Sequence, residues 1–406
     1  MARLQRGGTM NLLIKNADLY APAHRGRNDI LVCSGIVAAI AESLDTSALP
    51  FPCEILDAGG MRVVPGFIDG HVHITGGGGE GGFGTRTPEL SISDTIRSGV
   101  TTVVGVLGTD GVTRSVENLV AKTYAIREAG LSAWCLTGSY RLPLVTVTGD
   151  ACKDIMMVEP IIGIGEVAVS DHRSSKPSVE ELARIAAEAR VAGMLSGKAG
   201  IVNVHMGDAP AGFAPLEAVV AAGDLPRTQF LPTHCSRNRQ VFEQALRWAG
   251  AGGWVDFTAS GTASGSRRSD GELSAARAII VLLEKGLSLA RATLSSDGQG
   301  SLPVFDESGR LRGLTVGSCA SLGQTLREMV RDFGLPLEEA LVPLTLSPAR
   351  AFQFSRKGRL EVNSDADAVV LDAELRPSSV IARGRILVRF GKLEYRDAFV
   401  GGDSSE

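Results

Sequence analysis

Long apolar runs are absent from this chain: none reaches the roughly 20 residues needed to span a bilayer, so no membrane partner is expected. Aromatic residues make up only 5%, and neither sign of charge dominates, with Lys+Arg 41 against Asp+Glu 45 and a formal net charge of -4. Binding to a phosphate backbone needs a concentrated basic patch, which this balance does not supply, so no nucleic-acid partner is expected either. A small acidic ligand stays open, because a few local arginines suffice for one. Cysteine is sparse. Cys33, Cys53, Cys135, Cys152, Cys235 and Cys319 contain no Cys-x-x-Cys pair and read as thiols of a reducing compartment. Cys235 adjoins His234, but alternation along a strand would turn it to the opposite face. The opening MARLQRGGTMNLLI has basic residues without the apolar stretch of a secretory leader, so a cytoplasmic location is the expectation. Met10 is read as an alternative start, since regular structure is expected from Asn11.

What the chain does have is length and apolar content: 406 residues, 44% hydrophobic, enough for one large domain and a smaller companion. Short strand-like runs lie at both ends. LLIKNADLY and ILVCSGIVAAIA flank a turn-like APAHRGRND that holds His24, and ADAVVLDA and SSVIARGRILVRFGKLEY close the chain. Neither end makes a core alone, so residues 1–62 and 355–406 are expected to pair into one small β-sandwich domain. Residues 63–354 are then an insertion between its halves. In that stretch eight strand-like runs alternate with helical ones: VVPGFIDGHVH, TTVVGVL, SAWCLTGSY, IIGIGEVAVS, GIVNVHMG, QFLPTHC, GWVDFTAS and ATLSSDG. Helical spacing shows in PELSISDTIRSG, SVENLVAKTYAIREAG, SVEELARIAAEARVAGML, NRQVFEQALRWAG and GELSAARAIIVLLEKG, several of which start on a Ser, Asn or Asp cap. Eight β-then-α units predict an α/β fold, a (β/α)8 TIM-like barrel. A doubly wound open sheet would need fewer strands.

Metal-ligand residue types gather at the C-terminal ends of these strands, the face where barrel enzymes carry chemistry. His71 and His73 close the first strand, two apart and on one face. Glu166 falls in the fourth, His205 near the end of the fifth, His234 near the end of the sixth, and Asp297 at the end of the eighth. The chain has six histidines, and four of them take such positions. Four imidazoles and two carboxylates exceed the usual four-coordination of one zinc. They suit two divalent metal ions sharing a bridge, with zinc the expected metal. A single strand histidine is more often a core residue than a ligand; their convergence is what counts here. The remaining two, His24 and His172, read as a solvated turn residue and a loop residue after the fourth strand.

The PGFIDGHVH segment resembles the amidohydrolase superfamily, as does the return RLEVNSDADAVVLD near the end. HVHITGGGGEGG, LGTDG, LTGSYR, SDHRSS, HMGD, PTHCSRNR and SSDGQGS extend the resemblance to the bacterial isoaspartyl (β-aspartyl) dipeptidases within it, over nearly the whole chain. That resemblance implies a metallopeptidase acting on a small acidic dipeptide, assembled as a homo-oligomer. It implies His71, His73 and Asp297 at the more buried metal and His205 and His234 at the second. Asp297 would also shuttle the proton from water to the leaving amine. Tyr140 would polarise the scissile carbonyl. Glu80, aided by Gly78 and Thr109, would hold the substrate ammonium, and Arg173, Arg237 and Ser301 its carboxylates. Guanidinium forks and one anion match a ligand with two carboxylates and one ammonium.

One position departs from the family pattern. Those dipeptidases bridge their metals with a carbamylated lysine, where this chain has Glu166. A glutamate places its carboxylate roughly 3–4 Å nearer the backbone, counting bonds. A bridge from Glu166 therefore predicts that the fourth strand bulges inward, that the metals sit closer to it, or that the bridge is strained; a true bridge with a local backbone shift is the expectation. Two other functions stay open: hydrolysis of a cyclic amide or N-acyl amino acid, and a non-catalytic barrel scaffold. The first lacks a use for Glu80, Arg173 and Arg237; the second would be expected to lose metal ligands.

Overall fold

The computed structural model describes residues 11–259, 272–305 and 311–395, apart from positions 46, 48 and 50. Its first strands are β1 (Asn11–Tyr20), β2 (His24–Cys33), β3 (Ile36–Ala41), β4 (Cys53–Asp57) and β5 (Arg62–Pro65). Strands from the other end of the chain join them: β16 (Ala368–Leu371), β17 (Pro377–Ala382), β18 (Arg385–Arg389) and β19 (Lys392–Leu393). All nine form one mixed sheet in the order β19-β18-β17-β16-β5-β1-β2-β3, with β4 also on β1. The two chain ends meet where β5 runs antiparallel to β16, Val63 opposite Val370. Alternating apolar residues explain the arrangement. Leu12, Ile14, Ile30, Val63, Val370 and Ile381 all turn into one shared core.

Three expectations need correction here. The run ILVCSGIVAAIA is not one strand but parts of β2 and β3 around a turn at Ser34–Gly35. Gly35 has φ +80, and a Cβ there would lie 2.9 Å from the Arg383 carbonyl, so glycine breaks the run. His24 is not a turn residue either: it opens β2, with its exposed ring bonded to Asp18 at 2.7 Å. The run VVPGFIDGHVH likewise divides, Val63–Pro65 going to the mixed sheet and β6 beginning only at Phe67.

The middle of the chain is TIM-barrel-like. Strands β6 (Phe67–Val72), β7 (Val100–Gly105), β8 (Ser132–Thr137), β9 (Ile161–Val169), β10 (Ile201–Met206) and β11 (Phe230–Thr233) form a six-stranded parallel sheet in sequence order. Strands β12 (Val255–Thr258) and β13 (Ala292–Ser295) form a parallel pair. Connecting helices are α1 (Ile92–Arg97), α2 (Val116–Glu128), α3 (Ala151–Met157), α4 (Val179–Ser196), α5 (Ala214–Ala221), α6 (Arg239–Gly250) and α7 (Ala275–Glu284). Ser115, Ser178 and Asn238 cap their helices at the start of the runs as the sequence led one to expect, Ser91 and Ser274 cap two more from within theirs, and Ser178 with Glu181 forms a full capping box. Beyond β13 comes an antiparallel hairpin, β14 (Ser301–Phe305) and β15 (Leu311–Val316), which extends the barrel rim. Every β6–β11 residue except the half-buried Trp134 is buried, so these strands read as continuous apolar runs broken by a few polar residues. Among the described residues, no helix is long and apolar enough to cross a membrane.

Candidate active site

Strand geometry delivers the polar cluster. His71 is inside β6 and His73 one residue beyond it; His205 is in β10, His234 just after β11, and Asp297 two residues after β13. His234 (φ 61) and Asp297 (φ 52) both adopt left-handed backbone, a conformation that side chains other than glycine's adopt at a cost. Glu166 reaches the cluster through a local shift of β9. Against β10, Val202 pairs with Ile164 but Val204 pairs with Val167, so β9 carries one extra residue where Glu166 stands. A bulge of this kind re-aims a side chain.

The Glu166 carboxylate is fully buried and central to four imidazoles. Oε1 lies 3.5 Å from His73 Nε2. Oε2 lies 3.4 Å from His71 Nε2, 3.1 Å from His205 Nδ1 and 3.8 Å from His234 Nε2. Asp297 Oδ1 is 3.1 Å from His73 Nε2 and 3.9 Å from His71 Nε2. Outer partners fix the rings. His71 Nδ1 meets Asn203 Oδ1 at 2.9 Å, and Asn203 is itself anchored to the Leu231 carbonyl; His234 Nδ1 meets Thr258 Oγ1 at 2.7 Å. Such contacts turn the other ring nitrogen toward the cluster.

Burial would raise the Glu166 carboxyl, but His71, His205 and His234 hold it well below the ordinary carboxylate range. Burial likewise opposes ionisation of Asp297, yet His73 and the neighbouring imidazoles bring it down to about 2. His234 is pushed down to about 3, by burial first and then by its proximity to His205. His71 goes the other way: burial disfavours its charge, but Glu166 and Asp297 raise it to about 10. Two ionised carboxylates and a neutral imidazole are the protonation states that bind a cation, and the His71 proton is one that a cation would displace.

The residues fit divalent metal. His71 Nε2, Glu166 Oε1 and Asp297 Oδ1 are buried without a hydrogen-bond partner. Buried polar atoms are costly in that condition, and cation ligation relieves it. Two compact ligand groups result, His71–Glu166–His234 and His71–His73–Asp297. His205 lies outside both but touches Glu166.

Above the cluster is a cavity of about 220 Å³. It is lined by His73, Gly78, Glu80, Thr109, Tyr140, Arg173, His205, Arg237, Asp297 and Ser301 among others, so ten of the thirteen residues singled out from the sequence share it; His71, Glu166 and His234 lie beneath. A larger cavity of about 770 Å³ opens between α6 and α7 around Phe242, Leu246 and Leu287, but none of the candidate residues lines it. In the smaller one, Tyr140 sits with its hydroxyl 2.7 Å from His205 Nδ1. Burial, reinforced by Glu166, raises the Tyr140 phenol well above its usual value, so it stays a proton donor. Glu80 accepts from Thr109 Oγ1 at 2.8 Å and from Arg173 Nη1 at 3.2 Å. Arg237 is less well matched. Its Nε is buried without a partner, and burial lowers its pKa.

The glycine-rich loop that presents Gly78 and Glu80 is held from below by Arg114. This guanidinium, 4% exposed, donates to the carbonyls of Thr75 (3.2 Å), Gly77 (2.9 Å), Gly78 (3.4 Å) and Thr87 (3.3 Å). Gly78, at φ +67, could not carry a side chain: a Cβ would meet Thr85 O at 2.7 Å and Ser301 Cβ at 2.9 Å. Replacing Arg114 by Met leaves several carbonyls without their donor. The expected result is a stability loss of about 3 kcal/mol and a KM raised by about tenfold through misplacement of Glu80. Thermal unfolding and steady-state kinetics check both, and an unchanged KM would show that the loop keeps its shape unaided.

Arg114 is one of four contributors that sequence reasoning missed. Asp171 (beside the arginines) and Thr258 are two more. The fourth, Asn203, had a readable signal, since Asn-x-His on a strand puts Asn203 on the same face as His205. His172 is 81% exposed and takes no part in the cluster.

The sequence profile of the Amidohydrolase family matches residues 62–229 and 260–401. A β-aspartyl dipeptidase from the thermophilic, keratin-degrading Fervidobacterium islandicum AW-1, solved in complex with β-Asp-Leu dipeptide, is 46% identical; the alignment covers 97% of this chain and 100% of that one with a TM-score of 0.89. L-Hydantoinase (dihydropyrimidinase) from Arthrobacter aurescens shares the fold at 18% identity, covering 95% of this chain and 97% of its own with a TM-score of 0.63. Among curated relatives, a dihydroorotase from Elusimicrobium minutum is 33% identical over 121 residues, 29% of this chain. The chain spans only 26% of the length of that protein, and 36% of a second dihydroorotase, from Trichlorobacter lovleyi, at 31% identity over 40% of this chain.

Proposed function

This chain belongs to the amidohydrolase family, and from that premise we propose that it is a binuclear metal-dependent β-aspartyl dipeptidase, hydrolysing the isopeptide bond of small acidic dipeptides. Two divalent ions, zinc by the imidazole and carboxylate character of the set, would be held by His71, His73, Glu166, His205, His234 and Asp297, and when bound would supply Lewis acidity and a nucleophilic water at neutral pH. Asp297, ionised and facing the cavity, takes the proton from the attacking water and returns it to the leaving amine. Tyr140 donates its phenolic hydrogen to the scissile carbonyl as negative charge develops there. Glu80 with Thr109 and Gly78 receives the substrate ammonium; Arg173, Arg237 and Ser301 receive its carboxylates.

The observation that carries this reading is the charge pattern of the cavity. Glu80 and Arg173 pair with each other at 3.2 Å, while Arg237 keeps an unpartnered Nε. A β-aspartyl dipeptide offers an ammonium and two carboxylates, and answers all three groups. A cyclic amide leaves Glu80 and Arg237 unanswered, and a scaffold protein has no need of either. The reading includes the frame as well. We take the parallel strands as a closed (β/α)8 barrel over residues 63–354, supported by backbone bonds that bridge its two seams, Cys235 N to Asp256 O at 3.1 Å and His73 N to Gly298 O at 2.9 Å. Residues 1–62 and 355–406 would make the small β-sandwich around their shared core. By family resemblance it would work as a homo-oligomer in the cytoplasm, to which its six free cysteines are suited.

The test is a substrate panel with metal supplied: β-Asp-Leu, α-Asp-Leu, a hydantoin, dihydroorotate and an N-acyl amino acid. The β-linked dipeptide is expected to lead by about 100-fold or more in kcat/KM. Equal turnover of the two aspartyl isomers, or turnover of cyclic amides alone, would refute the assignment.

A further inference from the structure

Asp171 follows β9 on the loop that also carries Arg173, and no step above uses it. Its side chain is 1% exposed. Oδ1 accepts from the Arg173 backbone N–H at 2.8 Å and from Arg173 Nε at 2.9 Å. Oδ2 accepts from Arg173 Nη2 at 2.9 Å and from His205 Nε2 at 3.1 Å, and lies 3.5 Å from Arg237 Nη1. One buried carboxylate therefore touches both arginines of the cavity and a histidine of the cluster.

The contacts differ in kind, and the difference sorts the two arginines. Arg173 gives Asp171 the planar edge made by Nε and Nη2, a bidentate fork that fixes its plane. Only its Nη1 is left to the cavity, where it meets Glu80 at 3.2 Å. Arg237 has one long contact to the same carboxylate and another from Nη2 to His205 Nε2 at 3.3 Å, while its Nε is unpartnered, so that edge remains available to a ligand. The third contact sets a tautomer. Tyr140, as a donor 2.7 Å from His205 Nδ1, makes that nitrogen the acceptor and puts the ring hydrogen on Nε2. Arg173 Nη2 and Arg237 Nη2, 3.1 and 3.3 Å from Nε2, cannot accept it, so Asp171 does, and Nδ1 is left facing Glu166 at 3.1 Å. A carboxylate behind a ligand imidazole tunes metal affinity in this way.

We propose that Asp171 is a positioning residue that couples the substrate-carboxylate subsite to the His205 metal position. It locks Arg173, restrains Arg237 loosely enough to take a carboxylate, and holds His205 with Nδ1 toward the cluster. The proposal rests on the dipeptidase reading for its substrate half and on the ligand geometry alone for its metal half.

The experiment compares wild-type protein with Asp171→Asn and Asp171→Glu. Steady-state kinetics on β-Asp-Leu are measured with zinc in excess, zinc affinity by competition with a chromophoric chelator, and folding by thermal midpoint. The asparagine amide turns a donor toward guanidinium groups that can only donate. KM is expected to rise by about tenfold or more with kcat changed far less, and the zinc concentration for half-loading the weaker position to rise by about 10–100-fold. Asp171→Glu keeps the charge and should recover part of both. A carboxylate needed only to balance buried charge predicts otherwise: a lower midpoint in the asparagine variant with KM and zinc affinity at wild-type values, which would overturn the proposal. If Asp171→Asn does not fold, Asp171→Glu decides, since its displaced carboxylate should still raise KM and weaken zinc; wild-type values in it also overturn the proposal. If the wild type fails to cleave β-Asp-Leu at all, the dipeptidase reading falls, and the zinc titration still decides the metal half.

Discussion

Glu166→Ala is expected to lose at least one of two divalent ions and to lower β-Asp-Leu hydrolysis by about a thousandfold or more. The reason is its place in the cluster. One oxygen faces His73 and the other faces His71, His205 and His234, so this one carboxylate meets all four imidazoles. Removing it leaves four imidazoles and Asp297 without the group that joins them. Metal content of the purified, zinc-supplied variant and its kcat/KM are the measurements. Two ions and full activity in Glu166→Ala would reduce Glu166 to a barrel-lining residue. A companion variant sharpens the point. The wild type needs no carbon dioxide to assemble its bridge, so bicarbonate should not change its metal content. Glu166→Lys should load poorly in bicarbonate-free buffer and regain ions partly when bicarbonate is added. Recovery should be partial because the four imidazoles are spaced around the carboxylate of the shorter side chain.

Asp297→Asn is expected to lower kcat by about 10³–10⁴-fold while leaving KM within a fewfold. Asparagine keeps the shape and one ligating oxygen but cannot take a proton from water. The wild-type carboxyl, held to about 2 against the opposing effect of burial, is ionised throughout the neutral range and so is ready for that transfer. The loss should not be restored by raising pH, since no group at this position can then be deprotonated to replace the carboxylate. Metal analysis must accompany the kinetics, because a variant that had simply shed an ion would show the same loss. A variant with both ions and activity within tenfold of wild type would move the proton transfer to another residue.

What could be read from sequence, and what could not, follows physical lines. The candidate ligand residues were visible because strand C-termini in an alternating β/α pattern converge on one rim, so polar residues there stand out against apolar runs. Helices with a polar cap and a long amphipathic stretch, such as α4 and α6, were equally visible. Helix α3 was not, since its seven residues are too few to show a period. Neither was α5, which has no side-chain cap. The split at Gly66 was hidden because the residues on both sides are apolar and only a contact distant in sequence decides it: a Cβ at Gly66 would fall within 3 Å of the Thr101 side chain. Asp171 and Arg114 were hidden for a related reason. A loop aspartate or arginine is normally solvated, and only the assembled fold shows that these two are buried among partners.

The left-handed backbone at His234 and Asp297 sets evolutionary drift against chemistry. Glycine would relieve roughly 1 kcal/mol of backbone cost at such a position. A change to glycine that eases either of these two turns would therefore also delete a candidate ligand. A descendant of this chain released from selection for activity has a downhill path open to it, and would be expected to shed these two residues early while keeping its barrel intact.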